Sequence, residues 1–191
     1  MNYKNSPTTS WDNFADWYDK VISDPNSYQQ KLILPNILRM LNIKGGDSVL
    51  DIACGTGFFT EKLAELAKIA VGIDNSSNLI KLAIKKHKLP NTIFFVADAE
   101  RLSVLKKNPH WPSIKFDVAT LIMAIENIAD AKKSLEQASQ LLSPDGRLLI
   151  VMSHPAFRIP QFSSWGWDEK TKKIYRRIDS YLSGIAITCD L

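Results

Sequence analysis

The sequence predicts a doubly wound α/β domain on a parallel sheet, and three observations carry that expectation. From residue 48 onward, short β-branched or aromatic runs alternate with longer segments of helical spacing, the pattern of repeated βαβ units. The first run, Val49-Leu50-Asp51-Ile52-Ala53, empties into a glycine turn, Cys54-Gly55-Thr56-Gly57, that opens a helix. At 191 residues, 45% apolar and 23% charged, the chain has the composition of one ordinary globular domain.

Taken in order, residues 11–21 and 28–41 read as two helices of an N-terminal helical cap (residues 1–46). Pro35 should kink or split the second, because an interior proline loses a hydrogen bond. An α/β core occupies residues 47–153. Its strands are expected at 49–53, 69–73, 93–96, 118–123 and 148–152, each near the usual length of about five or six residues. Phe58, Phe59, Leu63, Leu66 and Ala67 form one apolar helical face, and Leu79, Ile80, Ala83 and Ile84 form a second behind the capping segment Asn75-Ser76-Ser77. A third helix is expected through Leu135, Ala138, Leu141 and Leu142, opened by Asp130 and closed by a Pro144-Asp145-Gly146 turn. Residues 154–191 form an aromatic and basic tail. Phe157, Phe162, Trp165, Trp167, Tyr175 and Tyr181 stand there among many charges, which suggests an irregular, lid-like cover, with plain core as the alternative. All three parts belong to a single domain, residues 1–191.

The 24 Lys and Arg against 20 Asp and Glu leave a net charge of +4, too small to mark a nucleic-acid or anionic-membrane binder. The densest basic run, Lys170, Lys172, Lys173, Arg176 and Arg177, reads first as a solvated face; an acidic substrate group or RNA phosphates would be the other partners. No stretch approaches the roughly 20 apolar residues that span a bilayer. Cys54 and Cys189 allow at most one bridge, and the three histidines lie far from both, so neither a disulfide scaffold nor a metal site is expected. These features together predict a cytoplasmic protein.

Chemistry concentrates at the glycine turn. Gly55 and Gly57 permit positive φ and carry no Cβ, so a ligand can lie against the backbone at the carboxyl end of the strand. A nucleoside-triphosphate loop would need Gly-Lys-Ser/Thr after four spacers, which the chain lacks. A dinucleotide fingerprint would need a third glycine where Thr60 stands, and Asp51 would repel a pyrophosphate while suiting an ammonium group. Asp74 ends the second strand, where an acid accepts ribose hydroxyls. Asp98-Ala99 ends the third, in position for an adenine amino group. Two nucleoside contacts and an ammonium contact without a phosphate cradle describe S-adenosylmethionine. Asp51 could instead be a structural acid bonded to backbone groups of the turn, and Asp98 could simply cap the segment after the third strand. His154, directly after the fifth strand, could take a proton from an acceptor or fix its loop through backbone carbonyls. Cys54 has no histidine nearby in sequence and reads as inert.

Over residues 11–183 the sequence resembles the class I S-adenosylmethionine-dependent methyltransferases of the type 11-like kind. The resemblance rests on the Asp51-x-Ala53-Cys54-Gly55-Thr56-Gly57 turn, Asp74, Asp98-Ala99, Phe116-Asp117 and Leu142-Ser143-Pro144-Asp145-Gly146-Arg147. The tail, with His154-Pro155-Ala156-Phe157-Arg158 and Ser163-Ser164-Trp165-Gly166-Trp167, is similar to a bacterial and archaeal subgroup. The resemblance implies a Rossmann-like fold. It places Asp51, Ala53, Gly55 and Gly57 on the methionine moiety, Asp74 and Asn75 at the ribose, and Asp98 with Ala99 at the adenine. Met123 and Ala124 would line the cofactor and Tyr18 would close over it. The reaction implied is methyl transfer from S-adenosylmethionine, leaving S-adenosylhomocysteine, to an O, N or C atom of a small-molecule acceptor. RNA or protein methylation, or a non-catalytic cofactor-binding module, are the alternatives; no membrane partner is implied. Members of this class typically end in an antiparallel hairpin, whereas only residues 184–191 come after the tail. The expectation is therefore a missing final β-hairpin, with one short strand at 185–189 and an unpaired sheet edge open to a homodimer.

Overall fold

The computed structural model describes residues 11–154 and 163–179. The chain divides into two compact units, Met1–Val151 and Met152–Leu191, a boundary two residues before the one read from sequence.

In the first unit, strands β1 (Ser48–Ile52), β2 (Ile69–Asp74), β3 (Thr92–Val96), β4 (Phe116–Ile122) and β5 (Leu142–Val151) make one parallel sheet in the order β3-β2-β1-β4-β5. Sheet growth reverses direction between β3 and β4, which leaves a crevice at the carboxyl ends of β1 and β4, where open α/β sheets bind ligands. Strand residues alternate between two apolar clusters. Leu50, Ile52, Val71, Ile73, Ala119 and Leu121 pack with Leu102, Trp111 and Ala138. Val49, Ala70, Val118 and Ile122 pack with Ile22, Ile37, Phe59 and Leu63. Burial on both faces is what a parallel sheet requires.

The helices are α1 (Trp11–Ser23), α2 (Leu34–Leu41), α3 (Phe58–Ala64), α4 (Ser77–Lys86) and α5 (Ala131–Ser139). Ser76 caps α4 by accepting from Leu79 N at 3.2 Å, and Asp130 caps α5 by accepting from Lys133 N at 2.9 Å. The predicted helix at 28–41 is split. A π-helical turn, Gln29–Ile33, precedes α2, and Pro35 sits in the first turn of α2, where a missing N–H costs nothing.

Two expectations are corrected. The third core helix stops at Ser139, and Leu142 opens β5 instead. Pro144-Asp145-Gly146 is not a helix stop but a looped-out segment within β5, since Phe116 pairs with Leu142 and Val118 with Arg147. The strand can rejoin there only with glycine: a Cβ on Gly146 would stand 2.9 Å from the Phe116 carbonyl oxygen. The second correction concerns the tail read as irregular. Its described part is a β-hairpin, β6 (Ser163–Asp168) antiparallel to β7 (Lys173–Ile178), forming a two-stranded sheet of its own. Trp165 pairs with Arg176, whose guanidinium carbon stands 5.2 Å from the Trp165 ring centroid, and Trp167 pairs with Ile174. The expected strand at 185–189 and most of the His154-Pro155-Ala156-Phe157-Arg158 motif lie outside the described residues.

Among the described residues β3 and β5 are the edge strands of the five-stranded sheet. No helix among them is long and apolar enough to cross a membrane, and no group of three His, Cys, Asp or Glu could hold a metal ion.

Candidate functional site

Strand register builds the centre of the site. Asp51 on β1 lies between Gly72 on β2 and Thr120 on β4. Thr120 Oγ1 donates to Asp51 Oδ1 at 2.8 Å, and Thr60 Oγ1, from the first turn of α3, donates to Oδ2 at 2.6 Å. The carboxyl is only 1% exposed, and burial pushes its pKa up to about 6 against the pull of the two hydroxyls. Its partners are thus two side-chain hydroxyls rather than the turn backbone. Thr60, which breaks the dinucleotide fingerprint, is the residue that orients Asp51.

The turn after β1 is held both by β2 and by a bond of its own. Cys54 N donates to Ile73 O at 2.8 Å, Gly57 N to Cys54 O at 3.0 Å, and Gly55 N to Asp74 Oδ2 at 2.9 Å. Gly55 and Gly57 take φ of 58° and 80°, the left-handed region that glycine enters freely. A Cβ on Gly55 would meet Tyr18 Cε1 at 3.1 Å; one on Gly57 would meet Phe94 at 2.8 Å and His87 at 2.9 Å. The chain's own residues stand where those side chains would point, so neither position has room for a residue larger than glycine. Tyr18, carried by α1, closes over the turn itself, and burial pushes its phenol well above the ordinary range, keeping it neutral. Ala53 and Met123, at the carboxyl ends of β1 and β4, also have positive φ, 57° and 54°. Such strain costs on the order of 1–3 kcal/mol per residue and clusters at functional sites. Met123 N donates to Val151 O at 2.7 Å, and the next residue, Ala124, is buried.

Asp74 ends β2 with both oxygens engaged, Oδ2 by Gly55 N and Oδ1 by Ser76 N at 2.8 Å. Burial raises its pKa, and the backbone N–H groups of Ser76 and Gly55 oppose the rise. Ser76 Oγ donates in turn to Asp12 Oδ1 at 2.6 Å, tying α1 to the start of α4. Asn75 is exposed beside it. Asp98 is about half exposed and accepts from Glu100 N at 2.9 Å, capping a 3₁₀ segment, Ala99–Lys107. Burial pushes the Cys54 thiol up, far from the reactive thiolate. His154 is exposed, three residues beyond β5, and belongs to the second unit.

Sequence reasoning missed Thr120 and His87. Thr120 had a signal, being the single polar residue in the apolar run from Val118 to Ile122. His87 had none: it comes after a lysine-rich helix end, yet its Nε2 lies 2.8 Å from Thr56 O and its Nδ1 3.0 Å from Glu61 Oε2.

Residues 26–183 match the family model described as a methyltransferase domain. The chain is 29% identical over 148 residues to the demethylmenaquinone methyltransferase of Paenarthrobacter aurescens, covering 77% of this chain and 55% of that protein. It is 30% identical over 134 residues to the ubiquinone biosynthesis O-methyltransferase of Haemophilus ducreyi, covering 66% and 56%. The crystal structure of an S-adenosylmethionine-dependent methyltransferase from Mesorhizobium loti superposes with a TM-score of 0.65 at 25% identity, covering 83% of this chain and 67% of that one. The chain spans about half the length of the curated relatives it matches. It belongs to the class I S-adenosylmethionine-dependent methyltransferase family, and its five-stranded sheet is the Rossmann-like one that family uses.

Proposed function

We propose that this chain binds S-adenosylmethionine at the carboxyl ends of β1 and β2 and transfers its methyl group to an O, N or C atom of a small-molecule acceptor. The observation that carries the reading is the pair Asp51 and Asp74, two buried carboxylates on adjacent strands with a glycine turn between them. A buried carboxyl with a pKa near 6 is matched by a cation such as the ammonium of the methionine moiety, and no phosphate would be tolerated there. Asp74 accepts a backbone N–H on each oxygen, with the Asn75 N–H also close; a carboxylate has about four such sites, so it can still accept from a ribose hydroxyl. Asn75 flanks the ribose, Asp98 and Ala99 the adenine, and Ala53, Tyr18, Met123 and Ala124 complete the lining.

When bound, S-adenosylmethionine supplies an electrophilic methyl on a sulfonium, whose leaving thioether is neutral. The protein's contribution is then chiefly orientation, which can supply roughly 7–11 kcal/mol of barrier reduction. A base is needed only for an acceptor protonated at neutral pH, and His154 is the residue we assign to that role. The two named relatives are a demethylmenaquinone methyltransferase and a ubiquinone biosynthesis O-methyltransferase, which supports a small acceptor over a macromolecule. A cytoplasmic location and a homodimer through the β5 edge belong to the same reading. Calorimetric titration with S-adenosylhomocysteine tests it: Asp74→Ala should weaken binding about ten- to 150-fold, the loss of roughly 1.5–3 kcal/mol expected for a charge-assisted hydrogen bond, while the variant stays folded. Unchanged affinity would sink the assignment.

A further inference from the structure

His87 closes a ring of contacts behind the glycine turn. Its Nε2 reaches the Thr56 carbonyl at 2.8 Å, its Nδ1 reaches Glu61 Oε2 at 3.0 Å, and Glu61 N donates to Gly57 O at 2.9 Å. The ring therefore joins the turn, the first turn of α3 and the end of α4. Both nitrogens face oxygens that only accept, so both contacts are hydrogen bonds when each nitrogen carries a hydrogen. The Thr56–Gly57 peptide is gripped at both ends, its carbonyl by His87 and its N–H by Cys54 O at 3.0 Å. The imidazole side chain is 10% exposed, and with Phe94 it fills the place a Cβ on Gly57 would need. Sequence offers no hint of this, because 31 residues separate His87 from Thr56.

We propose that His87 is a positioning residue for the cofactor turn: it fixes the Thr56–Gly57 peptide plane and thereby sets the affinity for the nucleoside ligand without touching it. The proposal rests on the reading that this turn holds S-adenosylmethionine. Preorganising a backbone segment lowers the cost of ordering it on binding. Losing the grip should appear in affinity and in local exchange, out of proportion to any loss of global stability.

The test titrates S-adenosylhomocysteine into the full chain and its variants, alongside thermal melts. His87→Leu should weaken binding roughly tenfold, the equivalent of about 1.4 kcal/mol. His87→Gln keeps an amide N–H for the Thr56 carbonyl and should recover most of that loss. Leu141→Ala, a core truncation at the other end of the sheet, should lower Tm and leave the dissociation constant alone. Hydrogen exchange at the amides of Gly55 and Gly57 should accelerate in His87→Leu while the β4 amides keep their protection. Wild-type affinity in His87→Leu, or a His87→Gln variant as impaired as His87→Leu, overturns the role given to His87. Failure of the unaltered protein to bind S-adenosylhomocysteine overturns the reading of the turn, and the role of His87 with it.

Discussion

At the carboxyl ends of β1 and β2, carboxylates are inside: Asp51 is 1% exposed and Asp74 7%, and every oxygen has a donor. In the β6–β7 ribbon, large apolar groups are outside: Trp165 is 67% exposed and Ile174 69%. The contrast separates two sources of order. Buried charges persist only where the surrounding fold supplies partners in place of water, so the sheet end is over-determined by its neighbours. A two-stranded ribbon supplies its own backbone bonds and little else, and such a hairpin is marginal by itself.

The contrast breaks most directly at the hydroxyls of Asp51. Thr60→Val with Thr120→Val leaves a buried carboxylate without donors and should cost on the order of 3–5 kcal/mol at pH 7.5. Urea unfolding should find the loss smaller at pH 5, where Asp51 is largely protonated; an equal loss at both values would mean that the carboxyl is not the cause. Core truncation sharpens the same comparison. Leu121→Ala, fully buried, should cost about 2–5 kcal/mol, while Trp165→Ala should stay within about 0.5 kcal/mol. Comparable losses in the two variants would make the ribbon part of a packed core.

The pH dependence comes from the raised carboxyl of Asp51. Its folded pKa of about 6 exceeds the ordinary value of 3.8, so the folded state holds the proton more tightly than the unfolded one between those values. The stability due to this group is thus full below about pH 4, falls as pH rises to about 6, and is level above. The total change is roughly 3 kcal/mol. Binding of a cationic ligand should run the other way and strengthen as pH rises through 6; urea midpoints and calorimetry across pH 4.5–8 measure both. The smallest effect is expected at Ala53→Gly. Relief of its positive φ is largely offset by the extra freedom of glycine in the unfolded chain, so the gain should be under about 1 kcal/mol, read as a small rise in Tm.

Much of the first unit was legible because local rules and tertiary structure agree there. All five strands were found because each carries a short apolar run; β1, β2 and β4 are buried along nearly their whole length, while the edge strands β3 and β5 are only partly buried or exposed. Ser76 and Asp130 marked helix starts because a capping side chain acts within its own turn. Pro35 announced the split between the π-helical turn and α2. The failures have identifiable causes. Leu141 and Leu142 continue a helical period by accident, and only pairing with Phe116 shows that Leu142 starts a strand. In the ribbon Trp165, Trp167, Ile174 and Ile178 do alternate onto one face, but the runs are only six residues long and Tyr175 and Arg176 interrupt the pattern in β7.

What the sequence determined by itself is the order of strands and helices in the first unit, the glycine turn after the first strand and the acids near the ends of the first two strands. Those depend on spacing, on backbone freedom at Gly55 and Gly57, and on side chains acting over a few residues. Tertiary structure alone decided that Asp51 is held by Thr60 and Thr120, that Tyr18 packs beside Gly55, and that His87 grips Thr56. Each of these joins residues from different elements. Hydrogen bonds act over about 3 Å in space, and separation along the chain carries no information about which distant groups the register of the sheet will bring that close.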